Sequence, residues 1–171
     1  ATNLNFNTQM TYGNGLMVVK KNKKDGKITY EELLDSEAPE VFDFIHKNNV
    51  IRQIQEMAND FSLYYDSWCE LIFDASSRNS KIINMAHKEM CYSRVTKANA
   101  AGIIEYHGYS TEWSNGSAPK NYVVSPIIDR NNPIDDITAK VSKGEKRLML
   151  NCSLPTPGRY YYNKPWWWSI F

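Results

Sequence analysis

The chain has 171 residues, of which 42% are hydrophobic and 23% are charged, a composition typical of one soluble globular domain. Its formal net charge of +1 gives no overall attraction for nucleic acid or an anionic membrane, so either partner would need a local patch of charge. No apolar run approaches the roughly 18 residues that span a bilayer, and residues 1–10 do not resemble a secretory signal. We therefore expect an intracellular chain with no membrane partner.

The first 35 residues predict a hairpin arm. A short apolar run at residues 16–19 leads into a lysine-rich stretch, and Asp25-Gly26 provides residues that tolerate the positive φ angles of a tight hairpin turn. We expect a β-hairpin with a basic tip, whose lysines either contact phosphates weakly or stay solvated. The candidate nucleic-acid contacts are Lys20, Lys21, Lys23 and Lys24.

Residues 36–65 predict two amphipathic helices. Asp35 or Ser36 suits the N-cap of the first helix, and Pro39 suits its first turn. Apolar residues at positions 50, 54, 57 and 61 recur with the helical period, and Asn48-Asn49 marks a break between the two helices. Each helix should cover a sheet or its neighbour with its apolar face.

Beyond residue 66 the pattern changes to short apolar runs separated by turn-rich segments, which is typical of strands. We predict six strands, at residues 68–73, 81–85, 90–95, 102–109, 122–128 and 147–152. Two helices followed by consecutive short strands indicate an α+β fold, with the helices packed on a mostly antiparallel sheet. The polar segment 129–146 is expected to be a mobile loop or a sheet edge.

The last fifteen residues include seven aromatic residues, an apolar load that has to be buried against something. Either the chain is part of a longer protein or assembles through this end, or the segment folds back as the last core element. We expect a single α+β domain over residues 1–171, as a fragment of a longer chain: a hairpin arm (1–35), a helical region (36–65), a sheet (66–155) and the aromatic segment (156–171). The candidate interface residues are Tyr160, Tyr161, Tyr162, Trp166, Trp167 and Trp168.

The cysteines are the candidate nucleophiles. A thiol-dependent hydrolase would pair Cys69 or Cys91 with a histidine, for which His87 and His107 are the candidates, but neither cysteine lies in a nucleophile motif. The apolar neighbours of all three cysteines, Cys152 included, predict packing roles and slow reaction with thiol reagents. No Cys or His spacing fits a metal site, and no glycine-rich phosphate loop occurs. We expect no catalytic, metal-binding or cofactor-binding residue, and no enzyme activity.

Several short motifs occur in a recognisable order. They are VFDFI at 41–45, NDF at 59–61, ELIF at 70–73, KII at 81–83, HKEMCYSR at 87–94, IID at 127–129 and PGRYYY at 157–162, together with Tyr106, Tyr109 and Trp113. From Val41 to Trp168 the chain resembles the middle part of the portal proteins of tailed phages and prophages of Bacteroidetes-type bacteria. The stem helices and the tunnel-facing helix of that family would follow the aromatic segment.

The resemblance implies a structural role. Portal subunits form a ring, usually a dodecamer, at one capsid vertex, through which double-stranded DNA is packaged and ejected. The implied partners are further copies of the chain, the packaging terminase, neck or tail proteins, and DNA that passes non-specifically. The implied location is the host cytoplasm during assembly and then the virion. The alternatives are a binding module with an aromatic platform for glycan or single-stranded nucleic acid and, less favoured, a Cys/His hydrolase.

Overall fold

The computed structural model describes residues 12–13, 15–24, 26–74, 81–113, 119–154 and 161–163. The α+β class and the leading hairpin predicted from the sequence are confirmed. Within these residues the elements are β1 (Val19–Lys24), β2 (Lys27–Glu32), α1 (Pro39–Lys47), α2 (Val50–Tyr64), β3 (Asp66–Phe73), β4 (Ile82–Lys88), a short 3-10 helix (Met90–Tyr92), β5 (Ser93–Val95), β6 (Tyr106–Tyr109), β7 (Val123–Pro126), α3 (Pro133–Ser142) and β8 (Arg147–Ser153).

The six strands that follow α2 form two antiparallel sheets instead of one. The first sheet has the order β4-β3-β8 and the second the order β5-β6-β7. Trp68 of β3 faces His107 of β6, and their ring centroids lie 4.5 Å apart. Met90 and Met149 pack with Trp68 in the same cluster. One apolar core therefore lies between the two sheets.

The other face of the first sheet is covered by helices. Side chains alternate along a strand, so Leu71 points away from the face that carries Trp68. Helix α2 packs on β3 and β4, while Ile137 and Val141 of α3 pack with the buried residue Leu148. None of the described helices combines the length and apolar character needed to cross a bilayer.

Helix α3 corrects the expectation of a loop or edge over residues 129–146. Pro133 occupies the first turn, where its missing N–H is no loss, and Asp135 and Asp136 in that turn suit the positive end of the helix dipole. Ile137 and Val141 lie one turn apart and contact the core. The prediction was wrong because the polar side of this ten-residue helix dominates its composition.

The start of α1 differs from the prediction, whereas its end agrees. The helix begins at Pro39, and neither Asp35 nor Ser36 caps it. These residues lie in a preceding turn, closed by a 2.9 Å hydrogen bond from the backbone N–H of Leu34 to the carboxylate of Glu37. Asp35 and Ser36, which the sequence pattern predicts as N-cap residues, therefore belong to this turn and not to the helix.

The predicted break between the two helices at Asn48-Asn49 is confirmed. Side chains at and after this break also cover the outer edge of β4. Asn49 adopts a left-handed conformation with φ of 47°, a region that Asn tolerates better than most residues. The side chain of Asn48 accepts a hydrogen bond from the N–H of Met85, and Gln53 accepts one from the N–H of His87. These contacts satisfy backbone groups along the outer edge of β4, which reduces its tendency to pair with another chain.

An ionic group lies at one side of the space between the sheets. The carboxylate of Glu70 is 3% exposed and lies 3.0 Å from Lys88 Nζ and 3.3 Å from an Arg147 nitrogen. Lys88 also lies over the ring of Tyr109, 4.9 Å from its centroid. Because a buried carboxylate without a partner is costly, these cations permit Glu70 to occupy a core strand.

Candidate functional site

The candidate nucleic-acid contacts lie on the hairpin formed by β1 and β2. Its turn contains Gly26 with φ of 77°, which confirms the positive φ angle predicted there, while Asp25 lies outside the described residues. Neither strand packs extensively on another helix or strand among the described residues. All four candidate lysines on β1 are exposed: Lys20, Lys21, Lys23 and Lys24.

The candidate aromatic interface is described only in part. Tyr160, Trp166, Trp167 and Trp168 lie outside the described residues. The hydroxyls of Tyr161 and Tyr162 accept hydrogen bonds of 3.4 Å from the backbone N–H groups of Ala98 and Val95. The two tyrosines are 39% and 42% exposed. They lie beside β5 of their own chain, and an intermolecular role for them stays a prediction.

The cysteines occupy different environments. Cys69 is fully buried, and this burial raises the pKa of its thiol to about 12, so the thiol is protonated at neutral pH and a poor nucleophile. Cys91 and Cys152 are exposed. The expectation that apolar neighbours make all three cysteines packing residues is wrong for these two, since apolar neighbours in the sequence do not bury a side chain that itself points outward, either from the short 3-10 helix that carries Cys91 or from the end of β8 that carries Cys152. Among the described residues no hydrogen bond joins a cysteine to a histidine.

His87 is held by carboxylates of α2. It lies opposite Cys69 in the register of β3 and β4, but its Nε2 lies 2.9 Å from Asp60 Oδ2 and its Nδ1 lies 3.6 Å from Glu56 Oε2. The same Asp60 oxygen accepts a 2.9 Å hydrogen bond from the backbone N–H of Met90. A histidine held by a carboxylate supplies two of the three members of a catalytic triad, yet the thiol opposite it is buried and protonated. The cluster therefore fastens α2 to β4 and the 3-10 helix.

His107 lies in the core between the sheets. Burial, followed by the nearby charge of Lys88, lowers its pKa to about 4. The ring is neutral at pH 7, and its Nε2 has no hydrogen-bond partner among the described residues. The structure thus places the two candidate histidines on opposite faces of the first sheet, because His87 contacts α2 and His107 contacts Trp68.

The second sheet carries an aromatic surface that the sequence analysis did not select as a site. Arg94, Gly108 and Val124 lie side by side in the register of β5, β6 and β7, on the face opposite His107. Tyr106, one position before His107, shares that face. We call this the outer surface, and it comprises Arg94, Tyr106, Trp113, Tyr122 and Val124.

Gly108 determines how Trp113 sits on the outer surface. A methyl group added at Gly108 would touch the Trp113 ring at 3.5 Å, so the indole lies directly on the backbone of β6. The Trp113 Nε1–H donates a 2.7 Å hydrogen bond to the carbonyl of Tyr92. The guanidinium of Arg94 lies 5.6 Å from the Trp113 ring centroid, and the ring of Tyr122 lies 6.2 Å away. The sequence signal for this surface was Gly108 itself, because a glycine inside a strand often marks a place where another group approaches the backbone closely.

A cleft of about 850 Å³ opens beside β8 and the loop that precedes α3. Asp66 lines this cleft. Burial raises the pKa of its carboxyl to about 6, although a 2.6 Å hydrogen bond from Asn151 acts in the opposite direction and lowers the pKa. Arg130 lies at the same cleft and donates to Ser153 Oγ at 2.8 Å. A buried acid with a raised pKa in a cleft is one mark of a binding site, but the lining here mixes both charges. The cleft specifies no ligand.

No group of three metal-ligating side chains is positioned to hold an ion within the part of the chain that the structure describes. Comparison of the chain with models of protein families, with curated proteins and with solved structures found no significant match.

Proposed function

We propose that this chain is a structural, non-enzymatic subunit that assembles with further copies of itself, as part of the portal of a tailed phage or prophage. The observation that carries the assembly role is the outer surface of the second sheet. The portal assignment within that role rests on the sequence resemblance between Val41 and Trp168.

The outer surface has the composition of a protein interface. Tyr, Trp and Arg are the side chains enriched at the energetic centres of such interfaces. Tyr106, Tyr122 and Val124 are 43%, 50% and 48% exposed, and they surround the ordered pair of Trp113 and Arg94. Strand β7 forms one edge of its sheet, and an edge with exposed β-branched residues is a template for pairing with another chain.

The ring geometry favours a protein partner over a sugar or a single-stranded base. The planes of Trp113 and Tyr122 are inclined by 47°, so the two rings do not form one flat stacking surface. Platforms for bases present open ring faces along a basic groove. An inclined pair fits better into an irregular protein surface.

In a portal this surface would meet a different surface of the next subunit. Such heterologous contacts generate a closed ring when the rotation between neighbours closes. The resemblance then supplies the partners, which are the packaging terminase, neck or tail proteins and DNA that passes non-specifically. It also supplies the location, which is the host cytoplasm during assembly and the virion afterwards.

The test is the mass of the natural full-length protein containing this chain, by light scattering, with and without changes to the outer surface. Tyr122→Ala with Val124→Lys should dissociate the ring into smaller species. The matched control is Leu34→Ala with Ile134→Lys, at positions that are 65% and 77% exposed elsewhere on the chain, and it should leave the mass unchanged. An assembly that survives the first pair, or a protein that is monomeric without any change, contradicts the proposal.

A further inference from the structure

The β1–β2 hairpin is a regular two-stranded ribbon. Six residue pairs follow one another without a bulge, from Val19 opposite Glu32 to Lys24 opposite Lys27. Every residue of the two strands is exposed except Asn22 in β1, which is half-buried. A hairpin with so little packing is marginally stable alone in water, so a partner that covers it would also stabilise it.

The lysines are distributed over both faces of the ribbon. The register places Lys21 and Lys23 on one face with Tyr30 and Ile28, and it places Lys20, Lys24 and Lys27 on the other. From residue 20 to residue 28 the sequence has these five lysines against one acid, Asp25, which leaves a charge of +4. The outer half of the ribbon is therefore strongly basic, although the whole chain is nearly neutral.

These lysines are not neutralised within the described part of the chain. No ion pair there involves any of the five, whereas Lys47, Lys81, Lys88 and Lys140 each have a carboxylate partner. Glu31 stands opposite Lys20 in the register, but its carboxylate accepts a 3.3 Å hydrogen bond from Asn22 instead. Five solvated cations on one projecting element are the arrangement that releases counterions on binding a polyanion.

We infer that this hairpin binds double-stranded DNA without sequence preference. The major groove of B-form DNA, about 12 Å wide, admits a two-stranded β-ribbon, whereas the deep and narrow major groove of A-form RNA does not admit side chains in this way. When the tip enters the groove, each face of the ribbon meets one of the two phosphate strands that border it. Lysines on both faces suit that placement, with Ile28 and Tyr30 adding apolar contact on one side.

The expected affinity depends strongly on salt. Five phosphate contacts give a slope of at most about −4.5 in a plot of log affinity against log salt concentration, which is a loss of up to about 500-fold between about 50 and about 200 mM salt. Each lysine removed should reduce the slope by about one. Two duplexes of unrelated sequence should bind equally, because phosphate contacts carry no sequence information.

The experiment is fluorescence anisotropy with labelled duplexes of about 20 base pairs, or two helical turns, over that salt range. The test variant carries Lys21→Gln, Lys23→Gln and Lys24→Gln. The control carries Lys97→Gln, Lys120→Gln and Lys143→Gln, which remove the same charge from exposed positions outside the hairpin. We expect the slope to fall by about three units in the test variant and by less than one in the control.

Equal losses in the two variants would overturn the inference, since net charge alone would then explain binding. Equal or tighter binding of an RNA duplex of the same sequence would also overturn it. The hairpin would bind DNA whether or not the chain forms a ring, so the two proposals fail separately. Light scattering should give the same mass for the test variant and the unaltered protein.

Discussion

The ring of Trp68 lies 4.5 Å from the ring of His107, at an interplanar angle of 41°, and this contact joins the two sheets. Trp68 is 4% exposed and His107 is 1% exposed. The histidine makes this core contact as a neutral aromatic ring, because burial, followed by the charge of Lys88, lowers its pKa to about 4. Its titration is therefore coupled to the packing between the sheets.

Acid should weaken the fold through His107. The unfolded chain binds a proton below the ordinary histidine pKa of 6.5, whereas the folded protein binds it only below about 4. Between these values the unfolded state holds more protons, so stability falls as the pH falls. His107→Phe keeps the ring contact and removes the titration. From pH 6.5 to pH 4, urea denaturation should show the unaltered protein losing about 3 kcal/mol relative to this variant.

Asp66 should change the stability with pH in the direction opposite to that of His107. Burial raises the pKa of its carboxyl from 3.8 to about 6, so the folded state holds more protons between these values and stability falls as the pH rises. Asp66→Asn keeps an oxygen for the hydrogen bond from Asn151 and removes the buried charge. The variant should be more stable than the unaltered protein by on the order of 2–3 kcal/mol at pH 7 and equal to it near pH 4. A destabilised variant at pH 7 would contradict the raised pKa.

These two pH effects overlap in the unaltered protein. The window for His107 runs from about 4 to 6.5 and that for Asp66 from 3.8 to about 6. Because the slopes have opposite signs, the contributions of these two residues to the pH dependence of stability should largely cancel there. Each effect becomes visible only when the other residue has been replaced.

The two ion pairs of Glu70 should contribute unequally to stability. Lys88→Gln removes a cation that is only 20% exposed and leaves the buried carboxylate of Glu70 with Arg147 alone, and breaking a buried pair in this way costs about 3 kcal/mol or more. Arg147 is half exposed, so Arg147→Gln should cost less than about 1 kcal/mol. Chemical denaturation of both variants measures the difference. Equal losses would show that Lys88 is solvated in the folded protein.

Thiol labelling should distinguish the cysteines. Cys91 and Cys152 are exposed and should react with a small maleimide in the native protein, whereas Cys69 should react only after unfolding, since it is buried and protonated. Mass spectrometry of the labelled chain counts the modified thiols and locates them. Native labelling of Cys69 at the rate of the other two would contradict its placement in the core.

Much of the local structure follows from the sequence. The Asp25-Gly26 pair predicts the hairpin because the turn requires a positive φ angle, and Gly26 adopts one. Asn49 ends the first helical pattern and takes the left-handed conformation. In both cases a single residue type suits a backbone conformation that most residues avoid. Such features are visible without knowledge of the tertiary fold.

The candidate sites depended on contacts between distant parts of the chain, which residue patterns do not specify. Trp113 is placed by Gly108 in β6 and by the Tyr92 carbonyl, so the outer surface exists only once the second sheet has formed. The division into two sheets likewise follows from long-range packing of Trp68 on His107. Helix α3 was missed for another reason, since its core contacts are few relative to its polar residues.

The most direct test of the assembly role is the mass and shape of the natural full-length protein, by light scattering combined with negative-stain electron microscopy. The proposed portal role predicts a ring of about a dozen subunits with a central channel, and one repeated heterologous contact closes into such a ring when the rotation between neighbours is suitable. A monomer that persists as the protein concentration rises would contradict the proposed role.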